Sequence, residues 1–161
     1  MAKPLFSQVN GECSSLVDVT DRGLSYGDGL FETILCTNGA LPVWPLHLER
    51  LINGCKRLRI AVTASDIEQA RRRFCADLTP GEDFVVKLIV TRGAGGRGYI
   101  PPSESVPTIV WQAFPPLPRA TEQTLGVALT CSDIRLSAQP LLAGLKHLNR
   151  LEYVLAGANA K

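Results

Sequence analysis

A chain of 161 residues has the length of one ordinary domain, or of one small domain and part of another. With 45% hydrophobic residues, 20% charged residues and a formal net charge of +2, it reads as a globular chain. That balance gives no electrostatic case for nucleic acid or an anionic membrane, no apolar run is long enough to span a bilayer, and no secretory leader is expected.

In chain order, Leu5–Val9 and Ser14–Val19 are predicted as short strands around a turn at Asn10-Gly11. Phe31–Thr37 is a β-prone run ending in Asn38-Gly39, a hairpin signal, with the return strand expected at Ala40–Val43. Leu46–Leu58 has helical spacing, its apolar face carrying Leu48, Leu51, Ile52, Cys55 and Leu58. A second helix is predicted after Ser65, an N-cap with Glu68 in capping-box register, running to about Leu78. Thr79-Pro80-Gly81 stops it. Phe84–Thr91 and Thr108–Phe114 are continuous apolar runs, expected to be strands buried on both faces. Pro115-Pro116-Leu117-Pro118 is a stiff connector, Gly126–Cys131 a further strand, and Leu148, Leu151, Val154, Leu155 and Ala158 recur as one face of a last helix. The five cysteines (Cys13, Cys36, Cys55, Cys75 and Cys131) are scattered and odd in number, which points to reduced thiols in the cytoplasm and to no zinc site.

Four clusters could carry chemistry. Lys146 stands alone in an apolar, glycine-containing approach to the last helical pattern. A lysine at the positive end of a helix loses some preference for its ammonium form, as a carbonyl-trapping amine or proton shuttle must; the alternative is a solvated lysine. Asp21–Thr33 places Gly23, Gly27 and Gly29 among charged residues, either a tight turn braced by Asp21, Arg22 and Asp28 or a close backbone approach. Thr91–Tyr99 ends a strand in a glycine-rich loop with Arg92, Arg97 and Tyr99, donors suited to a carboxylate, or else a surface hairpin. It has no Gly-Lys-Ser/Thr of a P-loop. His47-Leu48-Glu49-Arg50 opens a helix with Arg50 off the apolar face, either solvated or facing an anion.

Taken together, Asp-Arg-Gly-x-x-Tyr-Gly-Asp-Gly-x-Phe-Glu-Thr at 21–33, His-x-x-Arg-Leu at 47–51, Thr-Arg-Gly-x-Gly-Gly-Arg-Gly-Tyr at 91–99 and Gly-x-Lys-His-Leu-Asn-Arg-Leu-Glu at 144–152 resemble the pyridoxal-phosphate enzymes of fold type IV. Gly95–Tyr99, Lys146–Arg150 and Phe31 favour the aminodeoxychorismate lyase branch over the D-amino-acid and branched-chain aminotransferases. The resemblance implies an α+β fold, with a small N-terminal α/β domain over 1–116, a linker at 117–120 and an incomplete cofactor-binding domain over 121–161. The small domain is expected to hold a mixed or antiparallel sheet with two helices on one side.

For the site, the resemblance implies that Lys146 bonds to pyridoxal 5'-phosphate and moves the substrate proton, and that Arg50 binds the cofactor phosphate. Arg97 and Tyr99 would meet substrate carboxylate and Phe31 would line the pocket, while Glu32 and Arg92 support the site and His47 and Glu49 serve the helix start. The implied reaction converts 4-amino-4-deoxychorismate to 4-aminobenzoate and pyruvate on the folate route, in a cytoplasmic homodimer. Enzymes of this type continue well past the position of Lys161, so the chain is expected to be an N-terminal portion that is not active alone. A transaminase of the same superfamily and a non-catalytic remnant are the alternatives.

Overall fold

The computed structural model describes residues 3–116, 126 and 129–159. In chain order it contains β1 (Phe6–Val9), β2 (Glu12–Cys13), α1 (Arg22–Tyr26), β3 (Gly29–Cys36), α2 (Trp44–Leu58), α3 (Ala64–Ala76), β4 (Phe84–Thr91), β5 (Thr108–Phe114) and α4 (Leu151–Asn159). Two compact units result: Met1–Pro116 with Leu145–Leu148, and Leu117–Gly144 with Asn149–Lys161.

In the first unit the strands form one antiparallel sheet in the order β2-β1-β5-β4-β3. Both long apolar runs are strands over their full expected length, because β-branched and aromatic side chains pack well on a pleated surface. Their burial differs from expectation. It alternates along β4, so one face is sealed and the other, with Val85, Lys87 and Ile89, is only half-buried. The sealed face carries Leu30, Ile34 and Cys36 of β3, Val86, Leu88 and Val90 of β4, and Trp111 and Ala113 of β5. On that side α2 packs on β3 and α3 on β5. A run of rings joins them: Phe6 stacks on Phe74 with centroids 5.6 Å apart, Phe74 on Trp111 at 5.3 Å, and Trp111 meets Trp44 at 5.8 Å. Each such ring removed from water contributes about 1.5–3 kcal/mol.

Several local expectations are corrected. Asn10 and Gly11 both have positive φ, as the hairpin turn requires, but the returning strand is only Glu12–Cys13. Residues 14–19 form no strand, and Leu16, Val17 and Val19 are exposed. Asn38-Gly39 also turns with positive φ at both residues, yet the return is a single bridge between Thr37 and Ala40. Pro45, at the start of α2, draws the chain into a helix two residues earlier than the apolar spacing indicated. The second helix starts earlier too, since Thr63 rather than Ser65 is its N-cap and forms the capping box with Asp66. The expected strand at Gly126–Cys131 lies partly outside the described residues, and residues 126 and 129–131 form none. In the second unit, α4 begins at Leu151, not at Leu148, and Glu152 in its first turn accepts from the backbone N–H of Ser137 at 2.9 Å.

Candidate active site

β3 is the outer strand of the sheet, and an outer strand leaves half its backbone groups without a neighbour. Residues 145–148 occupy that edge. The Phe31 N–H donates to the Lys146 carbonyl at 2.9 Å, the Leu148 N–H donates to the Gly29 carbonyl at 3.0 Å, and Leu30 bridges His147. Gly29 makes this approach possible, because a Cβ there would lie 2.5 Å from the Val90 carbonyl oxygen and 2.9 Å from Leu148 Cδ1. Lys146 therefore sits on an extended, β-paired segment rather than at a helix start, which removes the helix-dipole argument for its amine. Its register sets it beside Phe31, with Nζ 4.3 Å from the ring centroid, and Lys87 Nζ lies 5.6 Å from the same centroid.

One residue along β3 the side chain turns to the other face. Glu32 falls in the sealed layer between Leu30 and Ile34 and is 1% exposed. It accepts from Arg50 Nε at 2.8 Å on Oε1, and from Arg50 Nη2 at 2.5 Å on Oε2. His47 Nδ1 lies 2.8 Å from the same Oε2. A carboxylate only accepts, so Nδ1 carries the hydrogen and His47 donates. The pair raises the affinity of the Arg50 guanidinium for its proton, chiefly through the hydrogen bonds to Glu32. The Arg50 side chain remains 49% exposed, anchored from behind with its other end outward. The choice between a solvated arginine and a directed one thus resolves to a guanidinium with a fixed anchor. His47, expected to serve only the helix start, is part of that anchor.

The Asp21–Thr33 motif and the glycine-rich loop form one network. Asp21, 1% exposed, caps α1 through the Gly23 N–H and accepts from Thr91 Oγ1 at 2.8 Å and Thr108 Oγ1 at 2.7 Å. Asp28 lies between Arg22 Nε at 3.0 Å and Arg92 Nε at 2.7 Å. Burial works to raise the Asp28 carboxyl, but bonds from Arg92 and Arg22 outweigh it and hold it below the usual carboxylate range. Arg92 also donates to the carbonyls of Leu58 and Arg59, both at 2.8 Å, which ties the end of α2 to the end of β4. Arg22, 3% exposed, donates to the carbonyls of Gly96 at 3.3 Å, Gly98 at 3.0 Å and Tyr99 at 3.4 Å. At Gly93, φ is +91° and a Cβ would fall 1.8 Å from the Val106 carbonyl oxygen, so only glycine lets the loop leave β4 here.

Arg97 and Tyr99 ride on this loop. Tyr99 is 90% exposed and meets Tyr26 edge-on with centroids 5.8 Å apart, and Arg97 is exposed beside it. The structure brings Lys146 and Phe31 together on one face of the β3 edge and places Arg50 on the other through Glu32. It holds Arg97 and Tyr99 outward on the loop. Sequence reasoning assigned His47 to the helix start and not to the anchor of Arg50, and it did not single out Lys87. The i, i+3 spacing of His47 and Arg50 was the available signal for the first, together with an acid inside the apolar alternation Leu30, Glu32, Ile34.

The site thus joins a lysine on the outer edge of an antiparallel sheet backed by two helices to a buried acid that anchors an arginine on the opposite face of the same strand. Residues 29–161 match the family model of amino-transferase class IV, and the chain belongs to that family. It is 37% identical over 153 residues to the aminodeoxychorismate lyase of Vibrio harveyi, covering 93% of this chain and 55% of that protein. It is 31% identical over 152 residues to the D-alanine aminotransferase of Bacillus licheniformis, covering 93% and 52%. The crystal structure of 4-amino-4-deoxychorismate lyase from Pseudomonas aeruginosa superposes with a TM-score of 0.87 at 47% identity, covering 96% of this chain and 57% of that one. The chain spans about half the length of the curated relatives it matches.

Proposed function

We propose that the protein is a pyridoxal-phosphate-dependent lyase that converts 4-amino-4-deoxychorismate to 4-aminobenzoate and pyruvate, a step toward folate. The observation that carries this reading is the 47% identity, over 96% of the chain, to the lyase of Pseudomonas aeruginosa. Because the chain spans about half the length of such proteins, the activity is proposed for a protein of their length, with these residues as its N-terminal portion. In that organisation 1–116 is the small domain, 117–120 the linker and 121–161 the start of the cofactor-binding domain.

The residues present suit the cofactor. An aldehyde needs a primary amine, and Lys146 offers one on a rigid β-paired edge against the Phe31 ring. A phosphate needs a fork of donors, and Arg50 is anchored on one side and half-exposed on the other. Pyridoxal phosphate, when bound, supplies a ring that accepts the electron pair left at the substrate carbon. Lys146 Nζ takes the proton from the carbon bearing the substrate amine as that carbon–hydrogen bond breaks. The bond from the substrate ring to the enolpyruvyl oxygen then breaks, the enolate of pyruvate leaves and takes up a proton at its terminal carbon to become pyruvate, and the remaining substrate ring becomes aromatic. Phe31 covers one side of the lysine, and Arg97 and Tyr99 are assigned to the substrate carboxylates, for which guanidinium and phenol donors are suited.

We further place the protein in the cytoplasm as a homodimer. All five cysteines are free thiols, as a reducing compartment favours, and burial pushes the Cys55 thiol up to about 12. Among the described residues no helix is long and apolar enough to cross a membrane. Cell fractionation tests the location; recovery with membranes would contradict it. Leu16, Val19, Tyr99, Ile100 and Val106 expose apolar surface on loops joined by the Asp21–Ala94 bridge, a surface of the kind buried on association.

The deciding experiment gives the full-length protein either 4-amino-4-deoxychorismate or an amino donor with a 2-oxo acid. Release of 4-aminobenzoate without amino transfer is expected, with loss of activity and of the borohydride-reducible lysine adduct in K146A. Amino transfer from D-alanine or a branched-chain donor in place of lysis would establish the transaminase reading, which the Bacillus licheniformis relative represents. No adduct at all would leave a non-catalytic protein.

A further inference from the structure

We propose that Glu32, steadied by His47, is a positioning residue that aims Arg50 at the phosphate of the cofactor. The inference deepens the reading of Arg50 as the phosphate-binding arginine and rests on it.

Glu32 is an expensive residue where it stands. It lies in the apolar face of β3, 1% exposed, where desolvation opposes an ionised carboxylate. Neutralising a buried cation does not account for it, because the Arg50 side chain is 49% exposed and water would solvate it. The geometry points to orientation instead. Glu32 takes the Nε and Nη2 side of the guanidinium, through both of its own oxygens. A planar fork gripped on that side is fixed in plane and direction, and its Nη1–Nη2 end can still meet a second acidic group bidentately. His47 Nδ1, 2.8 Å from Oε2, holds the carboxylate itself. His47 and Arg50 are three residues apart on α2, so one turn of helix presents both to one acid on β3. An unanchored arginine would have to lose its rotamer freedom when the phosphate binds, whereas this one is ordered beforehand.

The test uses the full-length apoprotein and two probes, pyridoxal 5'-phosphate and pyridoxal, which differ only in the phosphate. Their dissociation constants are measured by absorbance titration for the wild type, E32D, R50K and the double variant. E32D keeps the charge and withdraws the carboxylate by one methylene. It is expected to weaken pyridoxal phosphate about tenfold, the effect of roughly 1.4 kcal/mol in binding, and to leave pyridoxal unchanged. A merely structural staple between α2 and β3 would weaken both probes alike. R50K removes the fork, and in that background E32D is expected to have no further effect on the ratio of the two constants. If R50K leaves the ratio at its wild-type value, Arg50 does not hold the phosphate and both readings fall. If R50K raises the ratio of the pyridoxal phosphate constant to the pyridoxal constant and E32D does not, Glu32 has no positioning role and the inference alone fails. Should E32D not fold, E32Q enters the same cycle, where additivity with R50K overturns the proposal and non-additivity supports it.

Discussion

Glu32 and Asp28 each hold two hydrogen-bond donors, but their settings give them different consequences. Glu32 grips an arginine that is half in water, so its effect is on direction. Asp28 lies between Arg22, 3% exposed, and Arg92, 9% exposed, so its effect is on stability. The folded carboxyl of Asp28 is held below its unfolded value. Its stabilisation is therefore fully present above the ordinary carboxylate range, near about 4, and is lost as pH falls through the lower folded value. D28N should cost about 3–5 kcal/mol at neutral pH, because two buried guanidinium groups lose their charge partner. Urea unfolding from pH 7 to pH 3 should show a shallower loss of stability in D28N than in the wild type. Parallel pH profiles would refute this role. The motif Asp21–Thr33 advertised these acids and bases in the sequence, but only the fold reveals which arginine each acid meets, since Asp28 and Arg92 are far apart along the chain.

At the scale of elements, the strands that matched were those whose composition and surroundings agree. β4 and β5 are apolar along their length and lie in the interior of the sheet, so pattern and position give one answer. The run 14–19 is poorer in β-branched residues and has no neighbour to pair with, and its apolar side chains are exposed. Weaker propensity there has no pairing to support it. At the start of α3 the sequence offers two capping registers, Thr63 with Asp66 and Ser65 with Glu68. The structure uses the first, and Glu68 instead accepts from Trp44 Nε1 and Arg71. T63A should therefore lower stability by about 1 kcal/mol, or the melting temperature by about 2–4 °C. S65A should stay within about 0.5 kcal/mol. Thermal melts of the two variants separate the registers, and a larger loss in S65A would reverse the assignment.

For the whole molecule, the sheet with its two helices forms a sealed layer on one side only. The loops at the Asp21–Ala94 bridge carry exposed Ile100 (89%) and Val106 (81%) beside Tyr99. Sedimentation velocity of the full-length protein should show a dimer, and the double variant I100E/V106E should move it toward monomer with secondary structure unchanged. A dimer insensitive to both changes would place the interface elsewhere. Residues 145–148 make a related point about scale. They are remote from β3 in sequence, yet they complete its edge and belong to the first unit.

By itself the sequence determined the chemistry at hand: a lone lysine in a glycine-containing approach, an arginine on a helix and a glycine-rich loop with basic and phenolic donors. It also determined the long strands and the helices α2, α3 and α4, though not the short α1, because periodicity and apolar content are local properties. Only the tertiary structure decided that Lys146 lies on a sheet edge, its backbone paired with Phe31, and not on a helix end. Only there does Arg50 gain an anchor, since Glu32 and Arg50 become neighbours when α2 folds onto β3. Such pairings depend on strand order and register, which join residues far apart in the chain and leave no local periodicity to read.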